Sequence, residues 1–253
     1  MTDAHSGLII LALNSGSSSL KFGLYRVSAS RTEALLSGEA QSIGEEGGRF
    51  HAQDSQANSL LTEAVSIPTQ RDAISRIGQV LAGCKLPAPV AVGHRIVHGG
   101  PNLRQHCLID ELVLRQLDAA TAFAPLHTPS ALSVIRFAQE HFSGIPEAAC
   151  FDTTFHAGMP EVARVLPIPR ELRLEGIQRY GFHGLSCESI VHQLKRRGSL
   201  RIWNVFCSPW WSGYRVRPRS KFTICAFIPR SPGSLLPFAF SPDVLPANLC
   251  ARR

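Results

Sequence analysis

Apolar and polar positions change period several times along the first 198 residues, and each change marks an element. Residues 8–13 (LIILAL) form an unbroken apolar run, the pattern of a strand buried on both faces. Residues 20–27 alternate, with Phe22 and Leu24 on one side and Lys21, Gly23 and Tyr25 on the other, and predict a second strand. Between them, residues 14–19 (NSGSSS) suit a hairpin turn containing glycine. A third strand fits residues 33–40, followed by a polar, glycine-containing loop over 42–58. Helical spacing begins at 69–82, where Ile74, Ile77 and Leu81 fall on one face. Residues 89–98 (PVAVGHRIVH) predict a strand ending at Gly99-Gly100, and 110–123 a second amphipathic helix. Thr128-Pro129 supplies an N-cap and a first-position proline for a third helix. Residues 148–151 read as a short strand that delivers Asp152 at its end, and 186–197 as a last helix closed by Gly198. Strands first, then alternating helices and strands, predict an α/β domain with a mixed sheet.

Polar chemistry gathers where these elements end. The turn at 14–19 offers free backbone N–H groups and the hydroxyls of Ser15, Ser17, Ser18 and Ser19, with the charge of Lys21 at its exit. Such a turn can cradle a phosphate or be a polar hairpin tip without a ligand, and these residues alone do not separate the two. It is not a P-loop, since it lacks the G-x-x-x-x-G-K pattern and leads into a strand. In GHRIVHGG (93–100), Arg95 and Val97 share one strand face, while His94, Ile96 and His98 share the other. The histidines could form a metal pair, but packed or hydrogen-bonded imidazoles are the preferred reading. In APLHTP (124–129), His127 precedes a helix N-terminus, a natural place for an anion. CFDTTFHAGMP (150–160) puts Asp152 at the C-terminal end of a strand, the ligand side of open α/β sheets. RYGFHGLS (179–186) holds His183 between glycines, beside Phe182. Each stretch alone is more often structural than catalytic.

In this order, NSGSSSLKF, GHRIVHGG, APLHTP, FDTTFHAGMP and YGFHGLS resemble the acetate kinase family of acyl-phosphate-forming kinases, over residues 8–198. The resemblance implies the actin/sugar kinase/Hsp70-like (ribonuclease H-like) fold, in which two similar α/β domains close around a nucleotide and a hairpin turn holds its phosphates. It implies phosphoryl transfer between ATP and acetate, with Mg²⁺ or Mn²⁺, giving acetyl phosphate and ADP; propionate is the alternative acid. It also implies that full-length members form homodimers. Carried over by position, Asn14 would help hold the metal, and Ser17, Ser19 and Lys21 would face the nucleotide phosphates. Arg95 would bind the acetate carboxylate and the phosphoryl group in flight. His127 and His183 would stabilise the transition state, and Asp152 would be the active-site carboxylate. Val97, Leu126 and Phe182 would form the pocket for the substrate methyl. That pocket argues against a sugar kinase of the same superfamily, because a polyol needs polar partners. A carboxylate nucleophile is already ionised at neutral pH and needs no general base, so Asp152 reads as orienting metal and water. Two departures are mild: Thr128 stands where the family more often has Asn, and Leu185, Ser186 and Cys187 where Thr-Ser-His is usual.

Composition changes this picture only near residue 199. Residues 1–200 carry 18 Lys+Arg and 18 Asp+Glu, whereas residues 201–253 carry 8 Lys+Arg and only Asp243, so the whole net charge of +7 lies in the tail. Trp203, Trp210 and Trp211 are there too, with scattered prolines and no sustained period. The chain therefore divides into a kinase-like domain over 1–198 and a basic tail over 199–253. The tail contains neither the His-Leu-Gly-x-Gly phosphate loop nor the second arginine and the glutamate that the resemblance would assign to a second domain. Its interleaved arginines and aromatics suit single-stranded nucleic acid, but translation past a shifted reading frame accounts better for the abrupt break. The expectation is thus a poorly ordered tail, a missing second domain, little turnover, and neither a nucleic-acid nor a membrane partner. Seven cysteines with no C-x-x-C pair suit reduced thiols. The apolar run at 8–13 is too short for a signal peptide, and no apolar segment is long enough to span a bilayer; the expected location is the cytoplasm.

Overall fold

The computed structural model describes residues 7–28, 31–175 and 177–196. The apolar run at 8–13 lies in strand β1 (Leu8–Ser15), inside an eight-stranded sheet. β1 pairs antiparallel with β2 (Ser19–Val27), and the sheet continues antiparallel through β3 (Thr32–Gln41), β4 (Arg49–Asp54) and β5 (Ser59–Ala64). On its other side β1 pairs parallel with β6 (Ala91–Ile96), and β6 pairs parallel with β8 (Glu147–Phe151). The short β7 (Cys107–Leu108) closes that edge antiparallel, giving the order β5-β4-β3-β2-β1-β6-β8-β7.

β1 is buried on both faces, as an unbroken apolar run requires. Ile9, Leu11 and Leu13 pack with Phe22, Leu24 and the Ile74–Ile77–Leu81 stripe of helix α1 (Gln70–Gly83). Ile10 and Ala12 join Tyr25 and Val27 in a separate cluster, to which Leu185 of helix α6 (Gly184–Arg196) adds. α1 begins in a capping box, where Thr69 accepts from the Asp72 N–H and the Asp72 side chain accepts from Thr69 N–H. Helix α3 (Thr128–His141) adds Val134 and Ala138 to the α1 cluster. Helix α2 (Glu111–Ala119), capped by Asp110, packs Val113 and Leu117 with Leu132 and Ile135 of α3 and with Ile96 and Phe151. The short helices α4 (Glu161–Arg164) and α5 (Arg170–Leu174) lie between β8 and α6.

Three sequence expectations need correction. The polar loop at 42–58 contains β4, and β5 follows it. β4 buries fully only Phe50 and Ala52, and β5 buries none of its residues fully, so neither carries a strong apolar signal. The helix at 110–123 ends at Ala119 and tightens into a 3₁₀ turn over Ala120–Phe123. α3 is capped by His127, not Thr128, which makes Pro129 the second helical residue. The expected tail, 199–253, lies outside the described residues. Among the described residues no helix is long and apolar enough to cross a membrane.

Phe50 tests the strand that the pattern missed. It is fully buried and stacks on Phe22 with ring centroids 5.6 Å apart. Phe50→Ala should destabilise the domain by about 3–5 kcal/mol in urea unfolding; a loss under about 1 kcal/mol would mean β4 does not carry core.

Candidate active site

The parallel strands β1, β6 and β8 end on the same edge of the sheet, where open α/β sheets place their ligands. Asn14 lies opposite Arg95 in the β1–β6 register, and Arg95 opposite Cys150 in the β6–β8 register. Asp152 follows β8 directly, its N–H donating to Ile96 O at 2.9 Å. The guanidinium of Arg95 donates from Nη2 and Nε to Asp152 Oδ2 at 2.6 and 3.1 Å, and from Nη1 to Asn14 Oδ1 at 3.0 Å. Asp152 is 2% exposed, so removing Arg95 leaves a buried carboxylate without its counter-charge. Asp152 Oδ1 makes no hydrogen bond to a described residue. With Asn14 Oδ1 it offers the oxygen chemistry of a hard divalent cation that keeps several waters or phosphate oxygens. Among the described residues there is no cluster of three or more His, Cys, Asp or Glu side chains able to hold a metal.

The β1–β2 turn is held from both sides. Gly16 N–H donates to Ser19 O at 2.8 Å, Ile43 N–H to Ser18 O at 2.9 Å, and Ser130 Oγ to Gly16 O at 2.7 Å. Ser17 is exposed and Ser19 half-buried. Lys21 sits opposite Asn14 in the β1–β2 register, with Nζ 3.8 Å from Glu39 Oε1. Ser130 is a contact that the motifs did not mark, since a serine in a helix's first turn carries no signal of what it will touch. Its helix is preceded by the N-cap residue His127, which is exposed, next to Leu126 at 78% exposure. No bond or ring contact joins the His127 side chain to the Arg95 cluster.

The motifs at 150–160 and 179–186 meet beside Asp152. Gly184 N–H donates to Asp152 O at 2.8 Å, and a Cβ on Gly184 would lie 2.2 Å from that carbonyl. A Cβ on Gly181 would lie 2.2 Å from the His156 ring. Only glycine permits both approaches, and between them His183 is forced to φ +57°. His156 Nε2 donates to Phe182 O at 3.1 Å. Phe182 in turn lies 5.7 Å from the His98 ring, which also stacks on Phe123 at 4.9 Å and meets Tyr180 edge-on at 4.5 Å. His98 Nδ1 accepts from Gly100 N–H at 2.7 Å. His98, the residue after Val97, thus packs against Phe182. His94 is fully buried and bonded through Nε2 to Glu147 Oε2 at 2.8 Å. Both histidines of GHRIVHGG are therefore hydrogen-bonded, the preferred reading of their spacing.

With this geometry in view, the sequence model described as the acetokinase family matches residues 9–198. The chain belongs to that family. It is 36% identical over 189 residues to an acetate kinase of Campylobacter lari, covering 73% of this chain and 47% of that one. It is 37% identical over 196 residues to an acetate kinase of Rhizobium meliloti, covering 75% and 49%. A propionate kinase from Francisella tularensis superposes with a TM-score of 0.69 at 32% identity, covering 76% of this chain and 49% of that one. Porphyromonas gingivalis acetate kinase gives 0.68 at 28% identity, with coverage of 76% and 49%. The chain spans about half the length of the curated relatives it matches. The mixed sheet and its helices are the α/β fold shared with these acetokinase-family structures.

Two outcomes follow from the packing around the site. Burial holds both His98 and His156 below the ordinary histidine value of 6.5, so the folded chain favours their neutral rings. The unfolded chain takes up these protons first as pH falls through 6.5. Stability should be full above that value and decline as the pH drops below it. Urea midpoints between about pH 7.5 and about pH 5 read the slope, and a flat profile would contradict it. Separately, His183→Gly should be more stable than His183→Ala by about 1 kcal/mol, because glycine accepts the left-handed backbone. Equal thermal midpoints would show that the backbone relaxes there instead.

Proposed function

We propose that this site serves phosphoryl transfer between ATP and a short-chain carboxylate, acetate or propionate, giving the acyl phosphate and ADP. One observation carries the reading: a guanidinium at the ligand edge of the sheet, held between Asn14 and Asp152 on motifs of the acetokinase family. The names of the relatives, acetate and propionate kinases, support the acid's size.

A carboxylate oxygen of the acid attacks the γ-phosphorus, the bond from that phosphorus to the bridging oxygen breaks, and ADP leaves with the electron pair. No proton moves, because the acid is already ionised at neutral pH. The transition state asks mainly for alignment and for positive charge around three equatorial oxygens. Arg95 supplies a planar fork that can bind carboxylate and phosphoryl oxygens together. His127 and His183 supply donors to the same oxygens, and Lys21, Ser17 and Ser19 face the nucleotide phosphates. Val97, Leu126 and Phe182 receive the methyl or ethyl group; Leu126 and Phe182 are 78% and 43% exposed, so apolar surface is ready to be covered. Asn14 and Asp152 would hold Mg²⁺ or Mn²⁺, which when bound neutralises charge on the phosphates. The chain acts on small molecules in the cytoplasm, a placement supported by the free thiols of Cys84, Cys107 and Cys150.

The Arg95 cluster holds a single guanidinium, which favours slow turnover by this chain alone, since loss of preorganised charge costs orders of magnitude in rate. A coupled assay for acetyl phosphate formation should give well under about 1 per second, the lower end for kinases. Calorimetry should still detect acetyl phosphate binding, weakened about tenfold or more by Arg95→Lys, which keeps the charge and loses the fork. Fast turnover would refute the single-guanidinium argument alone. Binding indifferent to Arg95→Lys, or no binding and no turnover, would refute the proposed function.

A further inference from the structure

Half-buried arginines need a partner, and in this chain they divide into two groups. Among the described residues Arg26, Arg76, Arg95, Arg164 and Arg179 are half-buried. Arg26 meets Glu33 at 3.2 Å, Arg76 meets Glu63 at 2.8 Å, and Arg95 meets Asp152 at 2.6 Å. Arg164 and Arg179 meet no described carboxylate within ion-pair distance. Both line one open surface pocket, together with the exposed Arg104. No Asp or Glu lines that pocket.

Two of the three side chains, those of Arg104 and Arg164, are held by neutral groups. Arg104 Nη2 donates to Ala157 O at 2.7 Å, and Arg164 Nη1 donates to Gln178 Oε1 at 3.3 Å. Gln178 Nε2 donates in turn to Tyr180 Oη at 3.0 Å, and Arg179 N–H donates to Arg164 O at 3.0 Å. The Arg179 guanidinium makes no hydrogen bond to any described residue. Each guanidinium has five donors, and these bonds use one each on Arg104 and Arg164 and none on Arg179. Concentrating three cations of like sign, two of them half-buried, is unfavourable unless an anion joins them. Besides His156, the wall includes Thr153, Gln178 and Tyr180, whose hydroxyl and amide groups also suit oxygen acceptors.

We propose that this pocket is a second oxyanion site, built for a phosphate-like group by Arg104, Arg164 and Arg179 and separate from the Arg95 cluster. Thr153 and His156 form part of its wall, and Thr153 follows Asp152, so the two sites share one loop but no guanidinium. The chemistry recognised is that of a small tetrahedral oxyanion, whether free or carried on a larger molecule, since the pocket opens to solvent. This site does not depend on the transfer reaction proposed above.

The test is a titration of the 253-residue chain with inorganic phosphate, followed by amide chemical shifts. Saturable shifts are expected at Ala157 and Gly181, with a dissociation constant distinct from any set at Gly16 and Ser17. Arg164→Gln with Arg179→Gln should weaken the first set about tenfold or more and leave the second unchanged. Arg95→Lys should do the reverse. Sulfate should compete, and acetate at the same concentration should compete poorly; equal competition by acetate would refute the tetrahedral preference. The site is refuted if phosphate shifts only Gly16 and Ser17, or if both sets respond together to Arg95→Lys. It is also refuted if the double variant binds as tightly as the parent, or if no saturable shift occurs. Should the double variant unfold, the shift map of the parent chain decides by itself.

Discussion

Arg95 reaches Asp152 because β6 and β8 run parallel and in register: Arg95 lies opposite Cys150, and its side chain extends to the residue two further along, just past the end of β8. β1, parallel to β6 on its other side, brings Asn14 to the same guanidinium. Three segments more than fifty residues apart are thereby fixed on one charged group. The ion pair is also a constraint on the fold. A carboxylate that is 2% exposed needs a counter-charge, so the ends of these strands cannot separate without stranding Asp152. The core makes the register possible: the continuous apolar run of β1 buries Ile9, Leu11 and Leu13 on one face and Ile10 and Ala12 on the other. A slip of one residue along β1 would exchange those two faces and take Asn14 off the edge.

The central strands and helices were legible because their periods are strong. Residues 8–13 and 69–82 bury what their patterns say they bury, while 20–27 forms the expected strand but buries Tyr25 as well as Phe22 and Leu24. The same rule explains the failures. β4 buries fully only Phe50 and Ala52 in a stretch of Arg, His, Gln and Asp, and glycines precede it, so its alternation is lost in polar composition. The candidate site was legible through motif residues at element ends: Arg95, Asp152 and Asn14 lie within 3.1 Å contacts of one another through the guanidinium. What surrounds them was not. Ser130 holds the hairpin turn, and His98 and His156 position Phe182, all by contacts between segments distant in sequence. Sequence spacing carries no information on such contacts unless a motif names them.

The loop after β8 shows how backbone shape and electrostatics combine. Gly184 lies against the Asp152 carbonyl and Gly181 against the His156 ring, which leaves His183 in the left-handed region. Strain of this kind persists only where the surroundings over-determine it. Here they do, since His156 also bonds to Phe182 O and Phe182 packs on His98. Burial keeps both His98 and His156 neutral, so the wall behind Asp152 adds no charge of its own at neutral pH. The positive charge beside Asp152 therefore comes from Arg95, and that behind the loop from the Arg104, Arg164 and Arg179 pocket.

Three of the five Arg95 N–H donors are used within the cluster. Asn14 Oδ1 accepts from Arg95 Nη1, and Asp152 Oδ2 accepts from Nη2 and Nε. One N–H on each Nη therefore remains for an anion, and if the guanidinium turns toward it the bond easier to release is that to Asn14, whose amide is neutral while the carboxylate is charged and buried. Releasing it would free Asn14 Oδ1, and Asp152 Oδ1 already has no hydrogen-bond partner among the described residues. The two oxygens would then be available together for a hard cation, next to an anion that such a cation also favours. On the proposed reading, anion and cation binding at this edge would be coupled through that exchange, because each would favour release of the same Arg95–Asn14 bond.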